Sequence, residues 1–113
     1  MLFRSVEAVL AELARIRDEP VAPAELEKAR AYSSGRLELR LEESRHMAAW
    51  LGGQEALHDR VLTLDEALVA LAKVTPDHIQ TLAQRLIRDE VLTLSVVAPP
   101  GHGRHLDKAL RLP

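Results

Sequence analysis

Five histidines are the residues of this 113-residue chain with the most obvious capacity for chemistry. His102 and His105 stand three apart, with Asp107 just beyond. A zinc site needs about three protein ligands in a defined geometry, with partners that orient them. This trio sits in a Gly/Pro-rich tail with nothing to orient it, so it reads as a solvated tail. His46 and His58 fall on helical sequence without a carboxylate at ligand spacing. His78 occupies the third position of a helix and reads as a surface residue. Neither His-Glu-x-x-His nor His-x-x-Glu-His occurs.

Carboxylates and hydroxyls add little. Glu42 and Glu43 are adjacent, followed by Ser44 and Arg45. Neighbouring residues on a helix point in different directions, so this is a charged helix face and not an acid/base dyad. Ser33 and Ser34 read as small helix residues without a positioned base. No Gly-rich loop leads from a strand into a helix, which leaves phosphate cradling unsupported. There is no cysteine, so disulfides, thiolate chemistry and cysteine-ligated zinc are all excluded. No catalytic, cofactor-binding or metal-binding residue is assigned.

Composition narrows the partners. Net charge is −2, with no basic excess to neutralise phosphates, so nucleic acid is not expected. The only aromatics are Phe3, Tyr32 and Trp50, too few to line a pocket for bases or sugars. No apolar run approaches the ~20 residues that span a bilayer. The N-terminus turns acidic at Glu7, too early for a signal peptide. The expectation is a soluble, cytoplasmic protein with no membrane partner. At this length there is room for one small domain, which hides roughly two-thirds of its unfolded surface.

Leu and Ala make up about a third of the chain, a composition that favours helix. Val6, Val9, Leu10, Leu13 and Ile16 form one helical stripe within residues 5–18. Pro20 and Pro23 bracket a connector. A long helix is predicted over 23–51, on a stripe of Leu26, Ala29, Ser33, Leu37 and Leu41. Gly52-Gly53 predicts a break, with a short helix resuming over 54–59. Thr63-Leu64-Asp65-Glu66 has capping-box form and opens a helix over 64–73. Thr75-Pro76-Asp77 opens another over 76–88, burying Ile79, Leu82, Ala83 and Leu86. Alternation in Val91-Leu92-Thr93-Leu94-Ser95-Val96-Val97 predicts a strand over 91–97, before a tail at 99–113.

That strand is the oddity, because a lone strand leaves unpaired N–H and C=O groups on both edges. Residues Met1 to Arg4 could pair with it, or another chain could, or its sheet lies outside this chain. The predicted class is α+β: a mostly helical, partial domain of four to five helices with one C-terminal strand.

Several stretches form an ordered series: Pro23-Ala24-Glu25-Leu26-Glu27-Lys28-Ala29-Arg30, Leu39-Arg40-Leu41-Glu42-Glu43-Ser44-Arg45 and Trp50-Leu51-Gly52-Gly53-Gln54-Glu55. The series continues with Arg60-Val61-Leu62-Thr63-Leu64-Asp65-Glu66, Val74-Thr75-Pro76-Asp77-His78-Ile79 and Leu92 to Pro99. It resembles the pitrilysin/insulinase-type zinc metallopeptidases, which include the mitochondrial processing peptidases. Ala22, where the family often has Thr or Ser, and Ala98, where Gly is usual, depart from the pattern. The resemblance is to the second half of a C-terminal, non-catalytic domain. It implies that the sheet lies mainly in an absent first half, and that zinc and its ligands belong to the parent enzyme. It implies a scaffold and chamber-forming part, inactive alone, whose partners are the rest of the peptidase and, for the parent, a peptide substrate. Non-catalytic structural or assembly subunits of the same family are the alternative. A self-associating helical module is a third, since apolar faces left without their sheet favour association.

Overall fold

The computed structural model describes residues 2–97, Pro99 and residues 106–113, without the side chains of Leu2 and Asp107. Six α-helices lie among these residues: α1 (Leu2–Asp18), α2 (Pro23–Leu41), α3 (Ser44–Leu57), α4 (Leu64–Ala72), α5 (Pro76–Leu86) and α6 (Leu106–Ala109). A single 3-10 turn spans Asp89–Val91. The chain divides into two compact units, Met1–Val21 with Pro76–Pro113, and Ala22–Thr75.

The α+β expectation is overturned. Among the described residues there is no strand, and the fold is all-helical. The run predicted as a strand, 91–97, begins in the 3-10 turn and continues as residues 92–97 without regular structure. Alternation makes such a run fit a pleated surface, but a strand exists only where a ladder pairs it. Leu2, Phe3 and Arg4 are helical, so the N-terminal end supplies no ladder; Met1 lies outside the described residues.

In the first unit α1 packs on α5 and on α6. Its buried side chains are Leu10, Ala14, Ala83, Leu106 and Ala109. Val9 and Ile16, expected in the α1 stripe, are exposed, and so are Leu82 and Leu86 of α5. Two small residues, Ala14 and Ala83, are buried where α1 and α5 pack, and small side chains let helices approach closely. That contact line leaves the flanking large residues outside it. The tail is held by polar bonds: Leu112 N–H donates to Asp89 Oδ1 at 2.8 Å, and Arg17 Nη2 donates to the Pro113 carbonyl at 3.3 Å.

In the second unit α2 packs on both α3 and α4, and Leu26 and Leu41 are its buried residues. Arg30, Ser34 and Leu37 are half-buried between them, whereas Ala29 and Ser33 are exposed. The helix predicted over 23–51 is interrupted at Glu42–Glu43, where Glu43 adopts φ −83°, ψ 124°. No Gly or Pro marks this place. The interruption lets α3 fold back onto α2, and packing overrides propensity. The break expected at Gly52-Gly53 does not occur, because α3 runs through both glycines.

A Cβ added at Gly52 or Gly53 meets nothing within 4 Å. Glycine within a helix costs ~0.5–1 kcal/mol relative to alanine. Gly52→Ala and Gly53→Ala should therefore each stabilise the second unit by about that amount. Urea denaturation followed by helical circular dichroism measures this.

Candidate functional site

The residues with chemical potential are dispersed. His46 Nδ1 lies 3.2 Å from Glu43 Oε2, an i,i+3 pair across the start of α3. Ser33 is exposed and Ser34 half-buried on α2. His58 closes α3, its backbone N–H donating to the Gln54 carbonyl at 2.8 Å. His78 lies on α5 beside Asp77, Thr81, Leu82 and Arg85, which border a shallow depression. His102 and His105 lie outside the described residues, as does the side chain of Asp107. Among the described residues, no three His, Cys, Asp or Glu side chains come together to hold a metal ion.

In the second unit an open groove runs along α2 and the start of α3. Tyr32, Arg36, Leu39, Arg40, Glu43 and His46 border it. Arg36 lies over the Tyr32 ring, 6.0 Å from its centroid, and Arg36 Nη1 donates to Tyr32 Oη at 3.3 Å. The pair has the i,i+4 spacing of neighbours on one helix face. A cation stacked on a phenol is a contact for a surface to make, and carries no reaction by itself.

The most connected polar residues instead secure the backbone. Leu62 N–H donates to Gln54 Oε1 at 2.8 Å, while Gln54 Nε2 donates to the Leu62 carbonyl at 3.2 Å. Trp50 Nε1 donates to the same carbonyl at 3.2 Å. The loop before α4 is thereby clipped to α3. Arg30 reaches the Val74 carbonyl with Nη2 and Glu27 with Nη1, at 3.2 Å for the latter. The Arg30–Glu27 pair follows from i,i+3 spacing, but spacing along one helix could not reveal the bonds to Leu62 and Val74, because each joins a helix to a loop that must fold back.

At the start of α4 the expected capping box is present. Glu66 N–H donates to Thr63 Oγ1 at 3.2 Å, and Thr63 N–H donates to Glu66 Oε2 at 2.9 Å. Arg60 pairs with the other Glu66 oxygen. The backbone bond from Thr63, with Arg60 behind it, holds the Glu66 carboxyl below its ordinary range. In the first unit the hydrogen bond from Arg17, 2.6 Å from Nε to Oδ1, does the same for Asp18.

Set against family models, curated proteins and solved structures, the chain gives no significant match to any. Among the described residues, no helix is long and apolar enough to cross a membrane.

Thr63→Ala should destabilise the second unit by ~1 kcal/mol, as loss of an N-cap does. Because the folded Glu66 lies below its unfolded value, its stabilisation is present above the ordinary carboxylate range and is lost as pH falls from that range to the lower folded value. Thermal melts across that interval should show a shallower acid loss in Glu66→Gln than in the parent. Separately, Gln54→Leu leaves the Leu62 N–H without its acceptor, while Trp50 still serves the Leu62 carbonyl, and should cost about 1–3 kcal/mol, read from the same denaturation curves.

Proposed function

We propose that this chain is a helical scaffold segment of a pitrilysin/insulinase-type zinc metallopeptidase, without catalytic residues of its own. The observation that carries this reading is where the resembling residues act. Trp50 and Gln54, from one matched stretch, bond the backbone of Leu62 in the next. Thr63 and Glu66 cap α4. Arg30, at the end of the first stretch, reaches the Val74 carbonyl at the head of another. Pro76, in the same stretch as Val74, opens α5. The matched series thus coincides with bonds that set helix starts and loop positions, as a scaffold requires.

On this reading the zinc, its ligands and the general base lie in the remaining part of the peptidase, which is the chain's partner. Peptide substrate is bound and cut by that larger assembly, and the setting is the cytoplasm. No catalytic step is routed through the residues of this chain.

The purified chain should show neither stoichiometric zinc by elemental analysis nor hydrolysis of a quenched-fluorescent peptide library. Zinc at one equivalent with turnover would overturn the scaffold reading. Sequencing the coding region upstream separates the two versions of it. An in-frame His-x-x-Glu-His supports an active peptidase, whereas a related upstream half lacking that motif identifies a structural subunit. An unrelated upstream sequence contradicts the family assignment.

A further inference from the structure

The run Leu92–Val97 in the first unit has no regular secondary structure and, among the described residues, no ladder partner. Leu92 leaves the 3-10 turn at φ −69°, ψ 131°. Leu92 and Leu94 are half-buried, and Thr93 and Ser95 between and beyond them are exposed. Among the described residues, no backbone group bonds to the N–H or C=O groups of Thr93–Val97. An exposed row of this kind is a template for another chain.

We propose that this run pairs antiparallel with the same run of a second copy, about a two-fold axis through Leu94. The segment Val91-Leu92-Thr93-Leu94-Ser95-Val96-Val97 keeps its pattern of chemical types when read backwards. Val91 then faces Val97, Leu92 faces Val96, Thr93 faces Ser95, and Leu94 faces its own copy. Apolar residues meet apolar ones and hydroxyls meet hydroxyls, the favourable cross-strand combinations. The run carries no charge, so no like charges are brought opposite one another. Moving the axis to Thr93 sets Glu90 against Val96 and Val91 against Ser95. Moving it to Ser95 sets Thr93 against Val97. The Leu94 axis alone matches type throughout.

Exposure and hydrogen bonding agree with this register. Val91 is 51% exposed and Val97 fully exposed, and in it they cover each other. The N–H groups of Val91 and Leu92 are already given to Arg88 and Asp89, both at 3.2 Å. Exchange of N–H···O bonds between Thr93 and Ser95 uses only groups that are free. It also makes Leu94 opposite Leu94 the close, non-hydrogen-bonded pair, with Cα atoms about 4.5 Å apart. The two-fold contact joins one edge of the run between two copies, and the N–H and C=O groups of Leu94 and Val96 face the opposite edge. The proposal does not rest on the peptidase reading, since it uses only the chain's own backbone and side chains.

The full chain has no cysteine, so single cysteines report the register cleanly. Leu94→Cys should form a covalent dimer under mild oxidation, because its separation across the axis suits a disulfide. Thr93→Cys and Ser95→Cys should cross-link at least tenfold more slowly. Each meets its own copy only diagonally, at about 7–8 Å, beyond disulfide reach. Ser95→Pro removes an exchanged N–H at an exposed position. It should leave helical circular dichroism unchanged and turn the dimer seen by light scattering into monomer. Equal cross-linking at all three positions would overturn the proposal. So would a monomeric parent at millimolar concentration, or a dimer that survives Ser95→Pro.

Discussion

Scarcity of buried apolar surface is the constraint on which this structure depends. Among the described residues no side chain is completely buried, and the cores consist of a few leucines and alanines. At ~25 cal/mol per Å² of apolar surface removed from water, so small a core leaves little surplus over chain entropy. Position is therefore set by polar bonds at helix ends and loops. The Gln54–Leu62 exchange, the Arg30–Val74 contact and the Thr63–Glu66 box each fix a segment that hydrophobic packing alone does not hold.

The same scarcity explains what stays outside. Large apolar residues of α1 and α5 such as Val9, Leu82 and Leu86 remain exposed because small side chains occupy the buried line between these helices. Scattered exposed leucines are ordinary in proteins. A continuous run with an unpaired backbone is not, since each free N–H and C=O is a bond that a partner can complete. The proposed scaffold role and the proposed self-pairing both draw on this incompleteness.

Helix starts were legible because their signals are local. Pro23 and Pro76 open α2 and α5 where expected, and Thr63 with Glu66 closes its box. The strand was not legible as absent, since alternation over 91–97 describes side-chain faces and says nothing of a ladder partner. The interruption at Glu42–Glu43 carries no Gly or Pro and arises from packing of α3 on α2. Gly52-Gly53 misled for the complementary reason: a helix already fixed by Trp50 and Gln54 tolerates two poor formers. At the candidate site the Tyr32–Arg36 pair follows from helical spacing, whereas the reach of Gln54 to Leu62 depends on a loop turning back.

Amide hydrogen exchange resolved by residue tests the central claim most directly. In dilute solution the account predicts slow exchange for the amides of α1 and α5. It predicts rates close to those of an unstructured chain for Thr93–Val97, slowing at Thr93 and Ser95 as concentration rises. Strong protection of Thr93–Val97 in the dilute monomer would show that the chain already pairs this run, and would contradict the account.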